Sequence, residues 1–389
     1  MINREWIRKA GIQSLVKDLV AENSVSSLSN ISASKKVADW LESIGFEIEW
    51  VEYQDSLGVP KANIVAVRRP LHATQDTGGA GYLAHTDVVP VDDWSTGFNG
   101  PFEAVERNGR LYGRGTCDMK GSLCCAILAA SEIEQASQNR PLFMVVTADE
   151  EVGMHGAQHV DQRSKLWQEM IQRDVVGIIG EPTEMQVVHG HKGTFGVILR
   201  ANGQSAHTST GRGINANYAL IPALAPLLAL RDETETSPEY RNSDYDPPTL
   251  TWNMVIKNEP LALNVTTAIA EAQIFYRPMP GMDLSRIEKT LRQIQQDYGL
   301  EWIDRGEKPC WYVDPQAPWI RQMLDLAGRD QSQTVCYGTD GSVLQGLRKL
   351  VVCGPGSIEQ AHRKDEWVSI DQLNQAIEVY TQAFRKWAC

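Results

Sequence analysis

Residues 81–89 read Gly81-Tyr82-Leu83-Ala84-His85-Thr86-Asp87-Val88-Val89. A short apolar run bounded by turn residues reads as a strand buried on both faces, as in a parallel sheet. This one carries an imidazole and a carboxylate near its end. The design recurs along the chain. Residues 142–148 run apolar into Asp149-Glu150-Glu151, and residues 175–179 run into Gly180-Glu181-Pro182. Residues 350–353 lead through Gly354-Pro355-Gly356-Ser357 to His362. In open α/β sheets the carboxyl ends of the strands face the ligand crevice. Groups from distant parts of the chain are therefore expected to meet at one edge of a mixed sheet.

Around these strands the apolar spacing predicts helices over 5–22, 33–44, 123–130, 319–327 and 370–387, and a further strand over 63–67. The alternation indicates an α/β domain with helices on both faces of the sheet. The middle of the chain reads differently. Residues 187–200, 250–257 and 266–276 look like strands, with helical patterns at 215–230 and 283–298, and the polar, Pro-containing stretch 232–248 reads as a loop. This predicts a smaller α+β insert over 189–304, with the larger domain formed by 1–188 and 305–389.

Length and charge narrow the function classes. The 389 residues suffice for a sizeable core. With 37 basic against 49 acidic residues the net charge is −12, which argues against a nucleic-acid partner. No apolar run approaches the ~18 residues of a spanning helix, so no membrane partner is expected. Seven cysteines, two of them adjacent in an apolar run, read as reduced thiols and a cytoplasmic protein. The sequons at Asn30 and Asn264 then carry no glycan.

Histidine with several Asp and Glu is an N/O donor set suited to Zn²⁺ or Co²⁺. A divalent cation also lets so many carboxylates approach one another. Asp118, in Gly113-Arg114-Gly115-Thr116-Cys117-Asp118-Met119-Lys120-Gly121, adds a carboxylate just ahead of the Cys-rich helix. His72, His155 and His159 read as structural or surface residues. His189-Gly190-His191 has the spacing of a metal-binding pair, but it precedes the insert instead of following a sheet strand.

These stretches, with His191-Lys192-Gly193, Gly203-Gln204-Ser205-Ala206-His207, Arg277-Pro278-Met279-Pro280-Gly281 and Asp365-Glu366, resemble the zinc aminoacylase and carboxypeptidase family of co-catalytic metallohydrolases. The resemblance spans essentially the whole chain and is strongest to the acetylornithine deacetylase-like branch. It implies a catalytic domain interrupted by a lid, usually the homodimer contact, and a site holding two divalent ions, Zn²⁺ or Co²⁺. His85 and Glu181 would hold one ion, Glu151 and His362 the other, and Asp118 would bridge them, with the Asp118–Met119 peptide cis. Asp87 would orient the His85 imidazole. Glu150 would be the general base, and His207 on the lid would reach the other subunit's site. Asn264 and Arg277 would hold the substrate carboxylate, and Thr339, Asp340 and Gly341 match a Gly-Thr-Asp-Gly-type loop that would put Thr339 and Gly341 near the substrate. The implied substrate is a small N-acyl amino acid, N-acetylornithine first, in arginine biosynthesis. N-succinyl-diaminopimelate, N-acetylcitrulline, N-acetyl-lysine or a dipeptide are alternatives within the same chemistry, and an inactive binding homologue is the alternative outside it. The Ser candidates lack a GxSxG nucleophile elbow, which disfavours a metal-independent hydrolase.

Overall fold

The computed structural model describes residues 3–72 and 75–389; His72 lies within this range, and Ala73 and Thr74 do not. The chain divides into two compact units. The first runs through His189 and takes up again at Val313–Gln333 and Thr339–Cys389. The second is Gly190–Tyr312 with Thr334–Gly338.

The first unit is built on a mixed sheet. Its strands lie in the order Glu47–Gln54, Pro60–Arg68, Leu142–Thr147, Ala80–His85, Val176–Ile179, Lys349–Val352. The last four run parallel, and the first two are antiparallel to their neighbours. All six residues of Ala80–His85 and of Leu142–Thr147 are buried, so their apolar side chains feed both faces. On one face Tyr82, Ala84, Met144, Val146 and Ile178 join a single apolar cluster. That cluster includes residues of helices Arg4–Val20, Ile31–Ser43, Lys120–Glu132, Pro318–Ala327 and Ile370–Ala388. On the other face helices His155–Arg163 and Lys165–Arg173 pack on Pro60–Arg68. Cys124 and Cys125 are fully buried, and none of the seven cysteines is in a disulfide.

The strand read over 81–89 stops at His85, and the chain then turns, with Val88 making only an isolated bridge to Val25. The run 187–200 is broken into Val188–His191 and Thr194–Asn202. Glu47–Gln54 was not expected as a strand; it is a largely exposed edge with four charged or amide side chains.

The second unit is an antiparallel sheet in the order Thr251–Glu259, Ile269–Arg277, Thr194–Asn202, Glu301–Lys308. Helices Asn217–Thr236 and Ser285–Asp297 bury Leu220, Leu227, Ile287 and Leu291 in its core. The expected boundary at 304/305 therefore shifts. Glu301–Lys308 is a strand paired to Thr194–Asn202, so the second unit continues to Tyr312. The helix expected to end near 230 runs on to Thr236, shortening the loop read over 232–248.

One buried ion pair fixes the sheet edge where the acidic motif begins. Lys61, wholly buried on strand Pro60–Arg68, places Nζ 2.7 Å from Asp149 Oδ1 and donates to the carbonyls of Ser26 and Leu28. The Tyr53 hydroxyl donates to Asp149 Oδ2 at 2.7 Å. Asp149 has φ 55°, a left-handed conformation that Asp tolerates better than most residues. The two bonds to Asp149 hold the turn that delivers Glu150 and Glu151, and the two carbonyl bonds tie Lys61 to residues 26–28. Lys61→Met leaves the Asp149 charge buried and unpaired, and is expected to cost about 3–5 kcal/mol. Urea unfolding of the variant measures this, and a loss below about 1 kcal/mol would overturn the assignment.

Candidate active site

Four strand ends and one loop meet in the first unit. His85 closes its strand in register with Thr147, so His85 and the turn 149–151 emerge side by side. Glu181 follows Val176–Ile179 through Gly180, where any side chain would collide with the Tyr82 hydroxyl. Asp118 arrives from the loop before helix Lys120–Glu132, and the Asp118–Met119 peptide is cis. His362 lies beyond Lys349–Val352 and is half exposed, with φ 63°.

The distances make one cluster. His85 Nε2 lies 3.2 Å from Asp118 Oδ1 and 3.7 Å from Glu181 Oε1. His362 Nε2 lies 2.9 Å from Glu151 Oε2 and 3.4 Å from Asp118 Oδ2. Asp118 thus faces one histidine with each oxygen. Donor atoms of His85, Glu150 and Glu181 lie within 4.8 Å of one another, and so do those of His85, Asp118 and Glu151. Glu150 therefore shares a donor group with His85 and Glu181.

Electrostatics follow from burial and crowding. Burial and the charge of Glu181 push the Glu150 carboxyl well above its usual range. Burial and Asp118 do the same to Glu181, and push Glu151 up to about 7. Burial opposes charge on Asp118, yet its bonds with His362 and His85 hold it below the ordinary value. Contacts with Asp118 and Glu151 raise His362 to about 10. Burial works against a charged His85, but the Asp118 contact and the charge of Glu181 keep it well above normal. Such a set suits divalent cations: imidazole and carboxylate donors surround common points, and buried Glu151 Oε1 has no hydrogen-bond partner.

Asp87 acts in two ways. Its backbone carbonyl is 2.9 Å from His85 Nδ1, closer than its carboxylate at 3.6 Å. The carboxylate instead accepts from the amides of Glu150 and Glu151 at 3.2 and 3.3 Å and from Ser26 Oγ at 2.7 Å. Thr339 and Gly341 are buried. Thr339 Oγ1 caps the short turn that follows by accepting from the Gly341 amide. Between them sits Asp340, the third residue of the Gly-Thr-Asp-Gly-type loop motif. Its carboxylate accepts from Thr147 Oγ1 at 2.6 Å, and its charge is felt by Glu150 and Glu181.

The second unit holds the other expected residues, in two places. His207 is exposed, bridges to Val265, and contacts Ser209 Oγ through Nδ1 at 2.7 Å. The neighbouring Asn264 carbonyl accepts from the Thr208 amide. Arg277 ends the strand Ile269–Arg277 at the opposite end from that loop, roughly 25 Å away for a nine-residue strand. This unit by itself does not bring Arg277 to His207 and Asn264. His191 is buried and outside both donor groups, and burial lowers it to about 4. No helix among the described residues is long and apolar enough to cross a membrane.

The profile of peptidase family M20/M25/M40 matches residues 81–386. A protein named acetylornithine deacetylase from Proteus mirabilis (strain HI4320) is 32% identical over 383 residues, covering 95% of this chain and 94% of its own. Another of that name, from Vibrio parahaemolyticus serotype O3:K6 (strain RIMD 2210633), is 31% identical over 385 residues, covering 95% and 97%. Among solved structures, human carnosine dipeptidase 1 superposes with a TM-score of 0.76 at 16% identity, covering 98% of this chain and 97% of that one. An M20 family metallo-carboxypeptidase from Sulfolobus solfataricus gives 0.70 at 18%, covering 95% and 97%, and both structures carry the likeness of fold alone. A His/Asp/Glu cluster at the ends of parallel strands, in a chain matched over this length, makes the protein a metal-dependent hydrolase belonging to peptidase family M20/M25/M40.

Proposed function

We propose that the protein hydrolyses the amide bond of an N-acyl-L-amino acid, with N-acetylornithine as substrate and acetate and ornithine as products, in arginine biosynthesis in the cytoplasm. One observation carries the reading. Asp118 stands between two donor pairs, His85 with Glu181 and Glu151 with His362, while Glu150 lies beside the first pair. The names of the relatives favour the acetylated substrate.

In this reading His85 and Glu181 hold one divalent ion, Glu151 and His362 hold a second, and Asp118 is shared. Zn²⁺ or Co²⁺ suits the donors. When bound, such ions polarise an amide carbonyl and bring the pKa of a water toward neutrality. Glu150 takes a proton from the attacking water and returns it to the leaving amine. Its burial, which lifts its proton affinity, suits that exchange. Asp87 keeps both partners in place, through His85 Nδ1 and through the amides of Glu150 and Glu151. Arg277 of one copy and Asn264 of the other, which lies with His207, grip the substrate carboxylate, the guanidinium with its two-pronged geometry. Thr339 and Gly341 shape the wall nearby. His207 stabilises the tetrahedral oxyanion.

His207 does this across a homodimer. The edge strand Thr251–Glu259 leaves Val255 and Ile256 exposed, and helix Asn217–Thr236 turns Tyr218, Ile221 and Leu228 to solvent. Leu261 and Leu263 are 84% and 98% exposed. An unpaired strand edge beside an apolar helix stripe suits a second copy of the chain. The separation of His207 from Arg277 within one unit favours their serving different sites.

Protein loaded with Zn²⁺ or Co²⁺ and assayed on a panel of N-acyl amino acids is expected to release ornithine fastest from N-acetylornithine. Chelator-treated protein should be inactive, and failure on every acetylated amino acid would overturn the substrate class. Glu150→Gln should keep its metal yet lose about 10²-fold or more in kcat; near-normal turnover would remove Glu150 as base. Mixing inactive Glu150→Gln and His207→Ala chains should restore part of the activity. No recovery at any ratio would argue against donation across the dimer.

A further inference from the structure

Asp118 reaches the site from loop 113–118, between strand Arg110–Tyr112 and helix Lys120–Glu132. The loop's buried amides need acceptors, and the carboxylate it carries must be held within a fraction of an ångström. Both requirements are met by one residue far along the chain, Glu366. Its Oε1 accepts from the amides of Gly115, Cys117 and Asp118 at 3.0, 2.9 and 3.1 Å. Its Oε2 lies 2.7 Å from Arg114 Nη1, and both side chains are 1% exposed. The Glu366 carbonyl accepts from the Gly113 amide at 3.1 Å. The next residues, Trp367–Ser369, pair antiparallel with Arg110–Tyr112, which sets the register of the whole clamp.

Three amides converging on one point form a backbone nest, normally a place for an anion. Here a side-chain carboxylate fills it. Oε1 already accepts three hydrogen bonds and Oε2 is engaged by the guanidinium, so neither oxygen serves as a ligand. The same short segment carries His362 four residues earlier, so one stretch of chain sets both a histidine and the carboxylate it faces.

We propose that Glu366 is a positioning residue: through the amides of loop 113–118 it fixes Asp118, and thereby the spacing of the two cation positions, without touching substrate or cation. This rests on the two-ion reading given above. In Glu366→Gln the amide oxygen still accepts from the loop, but the amide nitrogen opposes Arg114 Nη1, donor against donor, and the clamp loosens without emptying the cavity.

The test is calorimetric titration of chelator-stripped wild type and Glu366→Gln with Co²⁺, together with the visible spectrum of the Co²⁺-loaded proteins and circular dichroism to establish the folded fraction. Folded Glu366→Gln is expected to bind Co²⁺ about 10- to 100-fold more weakly, with an altered spectrum, and to lose kcat with little change in KM. A variant that melts earlier but binds Co²⁺ with wild-type affinity and spectrum would overturn the proposal, leaving Glu366 a support of the fold alone. If Glu366→Gln does not fold, Arg114→Lys retains the charge and loses the planar fork. It is expected to weaken Co²⁺ binding in the same direction by a smaller factor, and unchanged affinity would overturn the proposal. Wild-type protein that binds no Co²⁺ would overturn the two-ion reading and this inference together, whereas wild-type binding with an unchanged variant overturns the inference alone.

Discussion

Mutual repulsion among buried carboxylates governs this structure. Asp118, Glu150, Glu151 and Glu181 all face one region, and Glu150, Glu151 and Glu181 are pushed toward protonation by burial and by an acidic neighbour. Two like charges 4 Å apart repel by about 4 kcal/mol at an effective dielectric of 20. A chain adopts such an arrangement only if rigid elements hold it. The parallel strands supply that rigidity, since their ends are fixed by a ladder buried on both faces. The two histidines, drawn toward the charged form by Asp118, mark where positive charge belongs in the cluster.

The second unit answers to a different constraint. Its sheet is antiparallel, with one face packed under two helices and an outer edge left open. Chemistry that needs fixed, close-set donors resides in the first unit. In the reading proposed above, the groups that grip or shield a substrate are on the second, where Arg277 ends a strand and His207 and Asn264 sit on a loop. Its two sets of polar groups lie at opposite ends of one strand, so a single copy of this unit cannot bring both to one small molecule.

Strand ends that carry charge were legible because the runs before them are apolar enough to be unambiguous. Ala80–His85, Leu142–Thr147 and Val176–Ile179 were expected within a few residues, and with them His85, Glu150, Glu151 and Glu181. The misses share a physical cause. Glu47–Gln54 and Glu301–Lys308 are exposed strands rich in charge, so they lack the alternation that burial imposes. Overlooking the second moved the boundary of the insert from Tyr312 to residue 304. The contacts made by Lys61, Tyr53 and Asp340 were missed for another reason. Each spans 88 to 193 residues of sequence, which no local pattern records.

Two long-range contacts under the site have the same construction. Lys61 with Asp149, and Arg114 with Glu366, are buried, oppositely charged pairs, each lying under a loop that carries a site carboxylate. Neither is explained by stability, since well-packed apolar residues of similar volume do as well or better than a buried pair. Their neutrality is the useful property. A lone buried cation would pull the site carboxylates out of place, and a lone anion would add to their repulsion. A pair does neither, and its acid still has lone pairs to spend on backbone amides or a tyrosine hydroxyl. The protein thus holds the loops of an acidic cluster with acids whose own charge is offset by Lys61 and Arg114, and in the reading proposed above the geometry of that cluster rests on these two buried side chains.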